Sequence, residues 1–203
     1  NHHIGQITVY NEDGKRYVFG LPAYNNLQKE VSFNVAGTPD NERLVLYSET
    51  EKSTENKSGL DNFFTATTLP PFAYAYYLTD VLSHDYVDLT GDGPSPDDYG
   101  NYVKFHSTKE ISGYKWRTPF QSNMAQYDEQ LLSLSGDDGD DKGHYIYGTR
   151  DVWYVDTITS KTQIAIFHTS SRNDAYEAAG ENGGIGGRSL LKMDSISLYN
   201  IHD

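Results

Sequence analysis

Apolar and polar positions alternate along this chain in short runs that stop at turn-forming residues. Ile7-Thr8-Val9-Tyr10 alternates, Asn11-Glu12-Asp13-Gly14 turns, and Arg16-Tyr17-Val18-Phe19 alternates again. An Asp-Gly pair between two alternating runs predicts a β-hairpin. Val31-Ser32-Phe33-Asn34-Val35 reads as a strand with its apolar residues on one face, and Leu44-Val45-Leu46-Tyr47 as another. Phe72 to Leu82 is long and aromatic enough for a helix, but Tyr74, Tyr76 and Leu78 alternate. The extended entry set by Pro70-Pro71 favours a strand there. Further strands are predicted at Tyr102–His106, Tyr114–Arg117, Tyr145–Tyr147 and Val152–Val155. After a turn near Thr159-Ser160-Lys161 come Gln163–His168 and, last, Leu190–Tyr199. Ile164 and Ile166 face one way and Ala165 and Phe167 the other, as in a strand covered on both sides.

Between these runs the chain is polar. Residues 48–62 mix Ser, Thr, Glu and Lys and are expected to be exposed and mobile; Asn56-Lys57-Ser58 within them matches a glycosylation sequon, a pattern common by chance. Residues 121–143 form a second polar stretch, and residues 180–187 a glycine-rich loop. No helix is strongly signalled and no internal repeat is visible. About ten strands with long connections predict an all-β fold, either a β-sandwich or an open curved antiparallel sheet with long polar loops. The expected organisation is a single β-rich domain over residues 1–203, excised from a longer chain, since strand-like sequence follows Asn1-His2-His3 almost at once.

Composition narrows the function classes. The net charge is −13, which argues against nucleic acid and anionic membranes, both of which select basic surfaces. No apolar run approaches the roughly 18 residues of a membrane span, so insertion is not expected. The chain has no cysteine, which removes disulfides, zinc–thiolate sites and thiol catalysis. Its 17 tyrosines, with 8 Phe and 2 Trp, suit half-buried pleated surfaces and also the stacking faces of carbohydrate-binding modules.

The stretch whose spacing implies a particular chemistry is Asp88-Leu89-Thr90-Gly91-Asp92-Gly93-Pro94-Ser95-Pro96-Asp97-Asp98. Oxygen-bearing side chains at alternate positions, followed by glycine, can aim several ligands at one hard cation. Asp88, Thr90 and Asp92 would give side-chain oxygens, Pro94 its carbonyl, and Asp97 or Asp98 the closing carboxylate. Calcium is the expected cofactor. The loop is not an EF-hand, because Tyr99 stands where the closing acid belongs.

Other candidates are weaker. Asp137, Asp138, Asp140 and Asp141 lack alternating order and read as a solvated loop. His84, His106, His144 and His168 lack metal-site spacing. With 29 acidic residues a carboxylate pair for glycoside hydrolysis can always be nominated, so acid count alone says little. Gly183-Gly184-Ile185-Gly186-Gly187-Arg188-Ser189 lacks the Gly-Lys-Ser/Thr ending of a phosphate loop and reads as a flexible connection. Trp116, Trp153 and Tyr154, with Tyr145 and Tyr147, could line a sugar-stacking face, with core packing as the competing role.

Gly14-Lys15-Arg16-Tyr17-Val18-Phe19-Gly20, the run Val152–Ile158, Ile164–Phe167 and Leu190–Ile196 together resemble the β-hairpin grammar of Rhs/SpvB-type surface and toxin-complex proteins. They are also similar to segments of very large secreted Bacteroidetes proteins, some handled by the type IX secretion system. The tandem Tyr-Asp repeat of true Rhs proteins is missing, so a shell-like role is not implied. The resemblance implies a non-catalytic structural or interaction module of a large extracellular or cell-surface bacterial protein. Its partners would be other domains of that parent or another protein. A carbohydrate-binding module is the alternative, and a carboxylate-dependent glycoside hydrolase the third reading.

Overall fold

The computed structural model describes residues 3–59, 62–128 and 141–201. Among them the chain is all-β, with no helix and twelve strands: β1 (Ile7–Tyr10), β2 (Arg16–Phe19), β3 (Leu21–Asn34), β4 (Leu44–Leu46), β5 (Phe64–Leu69), β6 (Phe72–Tyr77), β7 (Asp80–Leu82), β8 (Tyr102–Thr118), β9 (Met124–Asp128), β10 (Lys142–Ser160), β11 (Gln163–Ala178) and β12 (Ile185–Asn200). They form one large open antiparallel sheet, not closed into a barrel, whose main path runs β1-β2-β7-β8-β10-β11-β12. Of the two predicted arrangements, this is the open antiparallel sheet.

β10 is the spine. Ile146 pairs with Glu30 of β3 on one edge and Thr118 of β8 on the other, whereas Thr157 pairs with His106 of β8 and Ile166 of β11. One edge of β10 therefore changes partner, from β3 to β11, part-way along. β3 carries β5 and then β6 on its far edge, and β4-β9 extends the other side of β10 at its start. Three register shifts between β10 and β8 interrupt the period-two pattern. That is why β8 reads in the sequence as two short strands although it is one. The predicted strand over Phe72–Leu82 is β6 plus β7. β5 and β9 lie outside every predicted strand, β5 because its threonines alternate with nothing apolar enough to mark a face, β9 because it sits in a polar stretch.

The main core lies where β3, β9 and β10 meet the connections after β3 and β4. Val31, Phe33, Val35, Val45, Tyr47, Ala125, Tyr145 and Tyr147 are buried together there. Phe33 meets the Tyr47 ring edge-on at 5.1 Å, and Tyr47 stacks on Tyr145 at 5.8 Å. Arg117 enters this core with its guanidinium 4.5 Å from the Tyr145 ring centre.

Two expectations about loops are corrected. Residues 48–59 are largely exposed, as expected, but they fold as a cap tied down by buried Glu51 and Asn56. The Glu51 carboxylate accepts the backbone N–H groups of Ala36 and Ser48 (2.7 Å each) and the Ser48 and Ser58 hydroxyls. Asn56 donates to the carbonyls of Asn34 and Phe63 and is buried, which hides the sequon in the folded chain. The glycine-rich loop is likewise pinned. Gly183 sits at φ +79°, and a Cβ there would come within 2.4 Å of the Gln121 carbonyl oxygen. The Gly184 N–H donates to the Phe120 carbonyl at 2.8 Å.

Candidate functional site

The acidic loop closes on itself. Asp88 accepts the Gly91 N–H (2.7 Å) on Oδ1 and the Gly93 N–H (3.0 Å) on Oδ2. Both glycines have positive φ, 77° and 84°, which lets the chain fold back over that carboxylate. The Thr90 hydroxyl donates to Asp92, and the Ser95 hydroxyl to Asp97. Asp98 is buried and accepts the Tyr86 hydroxyl (2.7 Å), the Leu89 N–H (2.9 Å) and the Ser95 N–H (3.0 Å). The Tyr86 hydrogen bond, with those backbone bonds, holds the Asp98 carboxyl below the usual carboxylate range. Burial, and then Asp98 itself, push the Tyr86 phenol strongly up.

Lysine ammoniums meet the loop from outside. Lys104 reaches the Pro94 carbonyl and Lys161 the Asp98 carbonyl. Asp88, Thr90, Asp92, Pro94, Asp97 and Asp98 thus share one loop, but their oxygens are turned to different donors. Among the described residues no group of three or more His, Asp or Glu is placed to hold a metal ion. His106 and His168 instead bond the Thr159 and Ser197 hydroxyls, on different strands. Asp137, Asp138 and Asp140 lie outside the described residues; Asp141 accepts the Tyr127 hydroxyl.

The aromatic candidates are separated. Trp153 and Tyr154 are consecutive on β10 and so point to opposite faces. The Tyr154 hydroxyl accepts the Leu191 N–H at 2.8 Å, fixing it to β12. Trp153 lies under the Lys109 ammonium, 5.1 Å away. Trp116 packs elsewhere, against Gly148 of β10, and donates its indole N–H to Asn25. All three are half-buried.

The loop's main structural role is to cover one face of the sheet. Val18, Leu82, Tyr102 and Tyr86 form a second small core beneath it, and Arg16 donates to the Tyr86 carbonyl at 2.7 Å. Among the described residues the opposite face has no such cover. In register across it, Val9 pairs with Tyr17, Tyr17 with Val81, and Val81 with Val103. One pleat along, Phe105 pairs with Ile158, Ile158 with Ala165, and Ala165 with Leu198. Phe167 and Ile196 extend the row. Paired residues, and residues two apart, share a face, so this is one apolar surface across seven strands. None of these side chains is buried, and Val9, Ile196 and Leu198 are 47%, 51% and 64% exposed. Sequence reasoning missed this surface because apolar alternation signals burial, and the strand order that assembles the row cannot be read locally.

No family model matches the chain, and no curated protein or solved structure matches it.

Proposed function

We propose that this chain is a non-catalytic structural or interaction module of a large extracellular or cell-surface bacterial protein, and that neighbouring β-rich segments of the same protein cover its open apolar face. The observation that carries this reading is the uncovered row from Val9 to Leu198. Contiguous apolar surface of that extent is rare on isolated soluble domains and marks interaction sites. The ends of the sheet point the same way. Among the described strands β1 and β12 terminate the main path, and β1 (Ile-Thr-Val-Tyr) carries none of the charges or prolines that usually blunt an edge. The hairpin resemblance to Rhs/SpvB-type and large secreted Bacteroidetes proteins supports the setting.

The isolated chain should bind an environment-sensitive apolar dye and self-associate at micromolar concentration. The double variant Val9→Lys/Leu198→Lys should lose most of both responses with its melting temperature almost unchanged, since both sites are exposed. A wild-type chain that stays monomeric and leaves the dye dark would remove the reading.

Calcium belongs to this proposal as a staple of the 88–98 loop. Carboxylate oxygens bonded once to an N–H retain a lone pair, and Asp92 and Asp97 are exposed, so the loop can turn further oxygens inward on binding. Calcium should raise the melting temperature, a chelator should reverse the rise, and Asp92→Asn should abolish it. Identical melting curves with calcium and with chelator would assign loop closure to hydrogen bonds and lysines alone.

A further inference from the structure

A second open region lies on the β6-β3-β10-β8 part of the sheet, and its chemistry differs from that of the apolar row. Phe72 pairs with Asn25, Asn25 with Arg150, and Arg150 with Tyr114, while Gln28 pairs with Gly148 and Gly148 with Trp116. These residues share the face opposite the main core. Phe72, Tyr74, Asn25, Gln28, Trp116 and Arg150 line a shallow cleft of about 250 Å³. That is room for a single small ring, below the size of most drug-like pockets.

The cleft is built in advance. The Trp116 indole lies against Gly148, where a Cβ would come within 2.6 Å of its Cε2 and Cζ2 atoms. Its N–H donates to Asn25 Oδ1 at 3.3 Å; Asn25 Nδ2 donates to Gln28 Oε1 at 3.0 Å, and Gln28 Nε2 to Glu30 Oε1 at 2.8 Å. Asn25 is 4% exposed, so this relay fixes the ring from below. Phe72 and Tyr74 remain 37% and 38% exposed at the rim.

Arg150 is the unfilled group. Its guanidinium stands 5.9 Å from the ring centres of both Tyr74 and Tyr114, and its Nε is buried with no hydrogen-bond partner among the described residues. In a chain with 29 acids and 16 Lys and Arg, a guanidinium held between rings instead of on a carboxylate is unexpected. A buried donor without a partner is costly, which marks Arg150, among the described residues, as the one lining side chain whose polar group the fold leaves unsatisfied.

We propose that this cleft binds a neutral pyranose ring of a glycan, stacked on Trp116, with Arg150 donating to its hydroxyl oxygens. Hydroxyls both donate and accept, and the cleft lining offers both an arginine and the Asn25 and Gln28 amides. The net charge of −13 and Glu30 itself disfavour a polyanionic glycan. The site uses none of the apolar row, so this inference stands or falls separately from the structural role.

The chain has two tryptophans, so Trp153→Phe leaves Trp116 as the sole indole reporter. In that background, neutral gluco-, manno- and xylo-oligosaccharides should be titrated against Trp116 emission, with uronate oligosaccharides in parallel. At least one neutral series should give a saturable change, and Arg150→Met should weaken it tenfold or more with an unchanged melting temperature. If Arg150→Met proves unfolded, Tyr74→Ala at the rim serves as the second variant and should also weaken binding. Three results would overturn the proposal: no response to any neutral series up to about 10 mM, equal affinity in folded variants, or tighter binding of uronates than of neutral sugars.

Discussion

Replacing Arg117 with methionine is expected to lower the unfolding free energy by about 3–5 kcal/mol, since several buried carbonyls lose their donor at about 1–3 kcal/mol each. Arg117 is buried, and its donors are spent on backbone carbonyls and one phenol. Nε–H donates to the Glu181 carbonyl (2.7 Å), Nη2 to the Met124 carbonyl (2.8 Å) and the Tyr47 hydroxyl (3.1 Å), and Nη1 to the Pro119 and Gln121 carbonyls. One side chain thereby ties the end of β8, the connection to β9 and the turn between β11 and β12 to the main core. Methionine fills the space but leaves those carbonyls buried without donors, which is the costly outcome. Burial already pushes the Tyr47 phenol up, with Arg117 opposing the rise. At roughly 2–4 °C per kcal/mol for a chain of this size, the melting temperature should fall by about 6–20 °C. Arg117→Lys keeps the charge but not the planar fork, so it should recover only part of the loss. A melting temperature within a degree or two of wild type in Arg117→Met would show that the carbonyl cage does not hold these segments together.

Asp98→Ala is expected to open the acidic loop. It removes the acceptor for Tyr86, Leu89 and Ser95 at once, and Tyr86 is the ring that completes the small core over β2, β7 and β8. The melting temperature should drop and limited proteolysis should cut within residues 88–97 while the rest of the chain survives. Asp98→Asn keeps one carbonyl oxygen and should be milder. The pH dependence carries a fixed sign. A carboxyl held below its ordinary range contributes stability that is complete above the unfolded-state pKa and is lost as pH falls through the folded-state value. Wild type should therefore lose loop protection on acidification below the usual carboxylate range, and Asp98→Asn should show less of that acid-side loss. Cleavage patterns unchanged in Asp98→Ala would separate the loop's closure from this carboxylate.

The sequence displays the fold class clearly because short apolar runs stop at turn residues, alternating as in β1 and β3 or apolar on both faces as in β11. It hides β5, β9 and the continuity of β8, where polar composition or register shifts break the period. It also misreads buried polar groups. Glu51, Asn56, Asp98 and Arg117 look like surface residues, and only tertiary contacts supply the donors and acceptors that make them interior. The acidic loop was legible as a turn with paired oxygens and glycines. Its self-satisfied hydrogen bonding was not, because the same oxygens that suit a cation also suit backbone N–H groups. Trp116 was legible as a candidate ring, but its neighbours Phe72, Tyr74 and Arg150 reach it from strands far apart in the chain.

The central proposal is that segments of a longer parent protein cover the apolar row. The chain has no cysteine, so Leu198→Cys places a single thiol on that row at a position 64% exposed here. Maleimide labelling of that thiol should be compared in the isolated chain and in the longer parent protein that the proposal requires. Rapid labelling of the isolated chain with strong protection in the parent is the predicted result; equal rates in both would contradict it.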